Sequence, residues 1–80
     1  MIFVYAISSL IKNYIYVGQS DHVIRRFHQH NNGHEKTTKP FAPFELIGSW
    51  ACADRDTARR LEKYYKSAPG KRMLRMMIDS

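Results

Sequence analysis

Two short segments rich in β-branched and aromatic residues lie near the start of the chain, and the connection between them is brief. The first covers residues 2–8 and the second residues 14–18, which leaves residues 9–13 to form a turn. Side chains of this kind are typical of strands, and so short a connection favours an antiparallel pairing. The sequence therefore predicts a β-hairpin.

The tyrosines of this hairpin are the first candidates for chemistry. Alternation along a strand puts Phe3, Tyr5 and Ile7 on one face of the first strand. Tyr14 and Tyr16 likewise share a face of the second strand, so two tyrosines are expected to converge on one side of the hairpin. Because half-buried aromatic faces are common in sheets, this pattern indicates a site only together with other polar residues.

A first helix is predicted over residues 22–31, with Asp21 as its N-cap and Gly33 as its stop. Its inward face is expected to carry Val23, Phe27 and His30. Arg26 precedes His30 by four residues, so the two side chains lie together beside that apolar face. A solvated charge would normally lie on the opposite face, which makes this placement informative.

The rest of the chain predicts a loop, a third strand and two more helices. Residues 33–43 combine glycine, prolines and lysines and are expected to form a basic surface loop. A strand over residues 44–52 follows, and Asp54 is suited to cap a helix that ends near residue 67. Pro69-Gly70 is expected to break the chain. A short terminal helix would then pack through Met73, Leu74, Met77 and Ile78.

These elements predict an α+β fold for residues 1–80, with a small three-stranded antiparallel sheet flanked by helices in the order β-β-α-β-α-(α). Eighty residues are close to the lower limit for a single hydrophobic core, so one domain is expected. The one cysteine, Cys52, excludes an internal disulfide, which indicates an intracellular, cytoplasmic protein. No apolar run is long enough to span a bilayer.

The charge of the chain favours a polyanionic partner. The 13 Lys and Arg residues outnumber the 7 Asp and Glu residues, for a net charge of +6. Such a field attracts nucleic acid, although a basic protein without a nucleic-acid role would have the same charge. The basic residues expected to contact phosphates are Arg25, Lys36, Lys39, Arg59, Lys63, Lys66, Lys71 and Arg72.

Glu62 is the acidic residue whose position is hardest to explain by packing alone. On the second helix it lies on or beside the inward stripe formed by Ala58, Leu61 and Tyr65. A buried carboxylate is costly unless it is paired or binds a cation. An ion pair at the helix surface with Arg59, Lys63 or Lys66 is the alternative explanation.

Five polar residues on inward or edge positions together suit phosphodiester cleavage: Tyr5, Tyr16, Arg26, His30 and Glu62. An arginine can hold non-bridging phosphate oxygens in a bidentate manner. One carboxylate is enough to hold Mg²⁺, which usually keeps several waters. Tyrosine or histidine can orient or deprotonate a metal-associated water. The histidines and Cys52 match no closed zinc site by spacing.

The order and spacing of these five residues resemble the GIY-YIG nuclease superfamily. Tyr16-Val17-Gly18 begins eleven residues after Tyr5, Arg26 follows ten residues later and His30 four after that. Glu62 matches the glutamate on a later helix. Residues 62–67 and Gly70-Lys71-Arg72 resemble the short single-domain bacterial branch. That branch is similar to the N-terminal nuclease domain of an excision-repair nuclease subunit.

The resemblance implies a metal-dependent DNA endonuclease with a role for each residue. Tyr5 would act as, or assist, the general base, and Tyr16 would orient the water or a phosphate oxygen. Arg26 would stabilise the developing negative charge, and His30 would hydrogen-bond Tyr5 or the phosphate. Glu62 would bind a single Mg²⁺ or Mn²⁺ ion. Repair, recombination, restriction and mobile-element maintenance all use such domains.

The chain departs from the family pattern at three places. Phe3 replaces the glycine of the first motif, and Val17 replaces the usual isoleucine of the second, but both keep strand character. Gly18 would let the backbone pass close beneath the site. No asparagine follows Asn32, whereas larger members carry one near the end of the domain. If that amide shapes the metal site, activity is expected to be weak or altered.

Two other classes of function stay open on the sequence. The first is a nucleic-acid-binding module with the same fold and little or no catalysis. The second is a protein-interaction domain that uses residues 73–78 as its contact surface. Eighty residues leave little room for a sequence-reading element, so shape recognition or a protein partner is expected to supply specificity.

Overall fold

The computed structural model describes residues 1–79. Its elements are β1 (Ile2–Ser9), β2 (Ile15–Ser20), α1 (Val23–Asn31), a 3₁₀ turn (Lys39–Phe41), β3 (Phe44–Cys52), α2 (Arg55–Lys66) and α3 (Ala68–Asp79). The three strands form one antiparallel sheet in the order β2-β1-β3. This architecture confirms the predicted α+β fold and the β-β-α-β-α-α order.

The amino-terminal hairpin has the predicted pairing, with one correction to its second strand. Tyr5 is opposite Gly18 on β2 and Ser49 on β3, so it lies on the central strand of the sheet. The strand β2 begins at Ile15, one residue after Tyr14, and continues to Ser20 rather than ending at Gly18. A register shift between residues 6 and 7 bends the β1–β3 pairing. β2 is an edge strand, open along one side.

Helices cover the two faces of the sheet unequally, and this arrangement decides where each polar residue goes. The side chains of Val4 and Val17 point to the face that α2 and α3 cover, where Ala58 and Leu74 complete the core. The opposite face holds a second cluster built on Tyr5, Ile7 and Phe44, against which α1 packs through Val23 and Phe27. The hairpin tyrosines therefore face α1.

The start of α1 differs from the prediction by one residue. His22, not Asp21, is the N-cap, and its ring nitrogen accepts the backbone N–H of Arg25 at 3.4 Å. The Ser20 hydroxyl accepts the N–H of His22 at 2.9 Å, which keeps residue 22 outside the helix. Asp21 instead lies 3.9 Å from the Arg25 guanidinium.

The predicted helix signals at Gly33 and Asp54 are confirmed. Gly33 follows the C-cap of α1 with φ of 73°, a backbone conformation that costs glycine little. The Asp54 carboxylate accepts the N–H of Thr57 at 2.8 Å and caps α2. Both signals are local, so neighbouring residues were enough to predict them.

The end of the chain corrects two predictions. Pro69-Gly70 lies within the first turn of α3 instead of before the helix, because a proline there sacrifices no helical hydrogen bond. A Cβ on Gly70 would lie 1.9 Å from the carbonyl oxygen of Tyr64, so glycine permits the close contact with α2. Only part of the predicted packing face of α3 is buried. Leu74 is fully buried, whereas Met73 and Met77 are 48% and 41% exposed.

Among residues 1–79, no helix is long and apolar enough to cross a membrane.

Candidate active site

A buried hydrogen bond joins the central strand to the first helix. The hydroxyl of Tyr5 lies 2.8 Å from Nε2 of His30, and both side chains are almost wholly shielded from solvent. His30 reaches this position because it occupies the inward stripe of α1 near its carboxyl end. The ring of Tyr16 lies beside the pair, with centroids 6.2 Å from Tyr5 and 4.9 Å from His30.

Arg26 carries a positive charge on the solvent-facing side of this cluster. Its positive charge acts on the Tyr5 hydroxyl and favours the ionised phenol. It also donates to the Gln29 side-chain oxygen at 2.8 Å and lies 3.5 Å from the Glu35 carboxylate. The side chain is 30% exposed, so part of the guanidinium faces solvent. An anion approaching from solvent can therefore reach Arg26 beside the two buried rings.

The environment keeps Tyr5 protonated and His30 neutral near pH 7. Burial, with a smaller contribution from Tyr16, raises the pKa of Tyr5 to about 12, although Arg26 opposes this. Burial also lowers the pKa of His30, and the neighbouring Arg26 charge adds to the effect. A neutral imidazole can accept a proton from the phenol across their shared hydrogen bond.

A threonine that sequence reasoning missed completes the surroundings of His30. The Nδ1 atom of His30 lies 2.8 Å from the Thr38 hydroxyl, and Thr38 is fully buried. This corrects the view of residues 33–43 as a surface loop. Lys36 and Lys39 are exposed as expected, but Thr38 between them points inward. No periodic pattern in the sequence predicted that Thr38 would be buried, because a loop has no regular alternation of buried and exposed positions.

Glu62 lies on the other side of the sheet from this cluster. Its side chain is 20% exposed, and Lys66 lies 2.5 Å from Oε2. The alternative explanation for the position of Glu62, a surface ion pair, is therefore confirmed for Lys66. Arg59 pairs with Asp56 instead, at 3.3 Å. The other Glu62 oxygen, Oε1, accepts a hydrogen bond of 2.6 Å from Gln19.

The edge of β2 connects the two halves of the candidate site. Gln19, which holds Glu62, and Tyr16, which packs on His30, belong to the same edge strand and point to opposite faces. Tyr16 and Lys66 line one surface depression. Tyr5, Tyr16 and His30 thus form one contact group within the influence of the Arg26 charge, and Glu62 reaches the same edge from the other side. Sequence reasoning missed Gln19, because the second strand was predicted to end at Gly18, although continued alternation from Tyr16 would have placed Gln19 on the opposite face.

Comparison with known families identifies the family of this chain. The model of the GIY-YIG catalytic domain matches residues 1–75. This chain belongs to the GIY-YIG family. Members of this family are generally nucleases, which act on nucleic acids and typically use divalent metals. Neither the curated proteins nor the solved structures yielded a match.

In this GIY-YIG domain, Gly18 provides room for the tyrosine cluster. A Cβ added at Gly18 would lie 2.9 Å from both the Tyr5 hydroxyl and Cε2 of Tyr16. These distances are below normal carbon contacts, so any side chain would displace one of the phenols. The expectation that Gly18 lets the backbone pass close beneath the tyrosines is therefore correct.

The donor set of this GIY-YIG domain fits a weakly held divalent ion better than a metal cage. Within residues 1–79, no three His, Cys, Asp or Glu side chains gather as ligands. Glu62 offers one oxygen already oriented by Gln19 and another that faces the Lys66 cation. Mg²⁺ needs only one or two protein carboxylates and keeps its other waters. Glu62 is therefore the carboxylate that could hold such an ion, if the ion replaced Lys66 at Oε2.

The basic residues of the GIY-YIG domain are distributed over its surface. Seven of the eight predicted phosphate contacts are exposed: Arg25, Lys36, Lys39, Arg59, Lys63, Lys66 and Arg72. Lys71 is half-buried and lines the depression beside Tyr16. The ion pairs of Arg25 and Arg59 are exposed. Such pairs contribute little stability and can be exchanged for contacts to phosphate.

Proposed function

We propose that this GIY-YIG domain is a metal-dependent endonuclease that hydrolyses a DNA phosphodiester bond. Tyr5, Tyr16, Arg26, His30 and Glu62 would carry the reaction. The observation that carries the proposal is the buried hydrogen bond from the Tyr5 hydroxyl to His30, beside the partly exposed Arg26 guanidinium. This arrangement puts a buried proton acceptor close to an anion-binding group that is partly exposed to solvent.

The Tyr5–His30 pair would act as the general base. A phenol with a pKa of about 12 carries almost no phenolate at neutral pH, so Tyr5 alone is a poor base. As the Tyr5 oxygen takes a proton from the attacking water, its own proton can pass to Nε2 of His30 over 2.8 Å. The water oxygen then forms its bond to phosphorus while the bond to the leaving oxygen breaks.

Arg26 and Tyr16 would hold the phosphate during this displacement. The guanidinium already has two side-chain acceptors, Gln29 and Glu35, at 2.8 and 3.5 Å. A phosphate carries more charge than the Gln29 amide and offers the same donors two oxygens, so it can replace these partners. Tyr16 lies at the edge of β2 and is half-buried, which suits it to orient the water or a phosphate oxygen.

Glu62 would bind one Mg²⁺ or Mn²⁺ ion, which neutralises charge on the leaving 3′ oxygen when it is bound. Gln19 would keep the carboxylate oriented through its 2.6 Å hydrogen bond. The scissile strand would cross the open edge of β2, with Arg26 on one side and Glu62 on the other. Lys66 and Lys71, which line the depression beside Tyr16, would contact flanking phosphates. Shape recognition or a protein partner would supply specificity.

Nicking of supercoiled plasmid tests this function. The wild-type protein should nick DNA with Mg²⁺ and not with excess chelator. Glu62→Gln should reduce the rate by about 100-fold or more, because it removes the charge that holds the ion. Glu45→Gln, at an exposed position on β3, is the matched control and should cleave normally. Wild-type cleavage rates from the Glu62→Gln protein would exclude this site.

A DNA-binding module without catalysis is the second candidate, and one observation favours it. The Lys66 ammonium lies 2.5 Å from the Glu62 carboxylate, where a divalent ion would bind. If that pair persists with DNA present, the protein would bind DNA without cutting it. Binding without cleavage, across supercoiled, linear, flap and junction DNA in Mg²⁺ and Mn²⁺, would support this candidate instead.

A further inference from the structure

The directions of the hydrogen bonds around His30 follow from the groups at the two ends of the hydrogen-bonded series to which it belongs. At one end, the Arg26 guanidinium, whose charge acts on the Tyr5 hydroxyl, has no acceptor atom and cannot take the Tyr5 proton. Among the described residues, His30 is then the acceptor within reach of the Tyr5 proton, at 2.8 Å from Nε2. A neutral imidazole that accepts at Nε2 carries its proton on Nδ1.

The hydrogen bonds on the Thr38 side of His30 are consistent with this direction. Nδ1 of His30 lies 2.8 Å from the Thr38 hydroxyl oxygen. That hydroxyl has its own acceptor in the Glu35 carbonyl oxygen, at 3.4 Å, and a carbonyl can only accept. With its proton directed to Glu35, the Thr38 oxygen is left to accept the Nδ1–H. Donors and acceptors therefore match from the Tyr5 hydroxyl to the Glu35 carbonyl.

We propose that Thr38 is a positioning residue of the active site, whose hydroxyl holds His30 in the tautomer that leaves Nε2 free to accept the Tyr5 proton. The proposal deepens, and rests on, the proposed function of the Tyr5–His30 pair. Thr38 itself touches neither DNA nor the reacting atoms. It acts through His30, as the orienting carboxylate does in a hydrolase triad.

The loop after α1 is built to hold Thr38 in place. The backbone N–H groups of Thr38 and Lys39 both donate to the Glu35 carbonyl, at 3.2 and 2.9 Å. The Glu35 side chain reaches Arg26 at 3.5 Å. One short segment thus fixes the partner of His30 and also contacts the guanidinium. Thr38 is fully buried, so water does not substitute for its hydroxyl.

Removal of the hydroxyl would change the tautomer of His30. A buried Nδ1–H without an acceptor is costly, whereas the other tautomer would donate from Nε2 to the Tyr5 oxygen. In that tautomer Nε2 is already protonated and cannot take the phenol proton. Valine has nearly the shape of threonine without the hydroxyl, and serine keeps the hydroxyl without the methyl group. These two substitutions separate the hydrogen bond from the packing.

The test uses the full chain and reads the tautomer directly. Long-range ¹H–¹⁵N NMR correlations of the imidazole should show the Nδ1–H form in the wild type and in Thr38→Ser. Thr38→Val should shift His30 toward the Nε2–H form, and Thr37→Val, at an exposed neighbouring position, should not. An Nε2–H imidazole in the wild type, or an unchanged Nδ1–H imidazole in Thr38→Val, would overturn the proposal. The wild-type spectrum decides even if Thr38→Val does not fold.

Cleavage kinetics provide the second measurement. Thr38→Val should lower kcat by about 10- to 100-fold, as loss of a partner that orients a functional histidine typically does. KM for DNA should stay unchanged, and Thr38→Ser should restore most of the rate. An unchanged kcat in Thr38→Val would overturn the role of Thr38. A wild-type protein that cuts no DNA would instead refute the proposed function, while the tautomer would still test Thr38.

Discussion

The Tyr5 hydroxyl and the His30 imidazole share a buried 2.8 Å hydrogen bond that links the central strand to the end of α1. Burial affects the two groups in opposite senses. It raises the pKa of the phenol and lowers the pKa of the imidazole. Each group is therefore neutral near pH 7, and a proton can move between them without leaving the protein.

The phenol oxygen should be indispensable for cleavage. Tyr5→Phe keeps the ring but removes the oxygen that would accept the proton of the attacking water. We expect the cleavage rate to fall by about 100- to 10,000-fold, the usual contribution of a general base. DNA affinity, measured by fluorescence anisotropy, should change little. Tyr64→Phe, at an exposed tyrosine on α2, should cleave as the wild type does.

The stability of the protein should decrease in mild acid because of His30. Its pKa in the folded state is below the value of about 6.5 for an unfolded chain. As the pH falls below about 6.5, the unfolded state therefore binds a proton before the folded state does, and the free energy of unfolding decreases. The free energy of unfolding continues to decrease until the pH falls below the folded-state pKa of His30. Urea denaturation at pH 7 and pH 5 measures the effect.

His30→Gln isolates this contribution, because glutamine keeps polar atoms at the position but does not titrate. Its stability should depend less on pH between 7 and 5 than that of the wild type. His28→Gln, at an exposed position on the same helix, is the control and should retain most of the wild-type pH dependence. An identical slope for wild type and His30→Gln would contradict the assignment of a neutral, buried imidazole.

Gly18→Ala should disturb the site through sterics alone. The added Cβ would lie 2.9 Å from the Tyr5 hydroxyl and from the Tyr16 ring. We expect a loss of about 1–3 kcal/mol in the free energy of unfolding, as for other overpacked positions. Cleavage should also fall, because the Tyr5 oxygen is displaced from His30. Urea denaturation and plasmid nicking measure the two effects.

Gly48→Ala serves as the control for that substitution. Its added Cβ would lie 3.2 Å from the Trp50 ring, on a different strand from Gly18 and away from the Tyr5–His30 pair. A comparable loss of stability in Gly48→Ala would not affect the comparison. The folded fraction of that variant should still cleave DNA. If Gly18→Ala cleaves DNA normally, the Tyr5 hydroxyl does not need its present position.

Lys66→Met should strengthen metal binding. Lys66 competes for Glu62 Oε2 at 2.5 Å, and this partly exposed pair is worth at most about 1 kcal/mol. We therefore expect Mn²⁺ to bind about twofold to fivefold more tightly without DNA, as measured by calorimetry or by Mn²⁺ resonance. Arg60→Met, at an exposed position of the same helix, is the control. Equal affinities for wild type and Lys66→Met would argue against Glu62 as the metal ligand.

Signals that depend on neighbouring residues were readable from the sequence. The hairpin followed from two aromatic, β-branched segments and a short turn. The end of α1 followed from Gly33 and the start of α2 from Asp54, since caps and turns involve residues only a few positions apart. Helical spacing also placed Arg26 and His30 side by side. The error at Asp21 was of one residue, because the Ser20 hydroxyl holds His22 outside α1.

The partners of the site residues depended on tertiary structure. Thr38 supports His30 from a loop without regular alternation, and Gln19 holds Glu62 across 43 positions of sequence. The placement of Glu62 on the face opposite Tyr5 depends on which side of the sheet each helix covers. By itself, the sequence determined the elements and the residue types of the site. Only the packing of the helices on the sheet decided which of these side chains contact each other, because those contacts join residues that are distant along the chain.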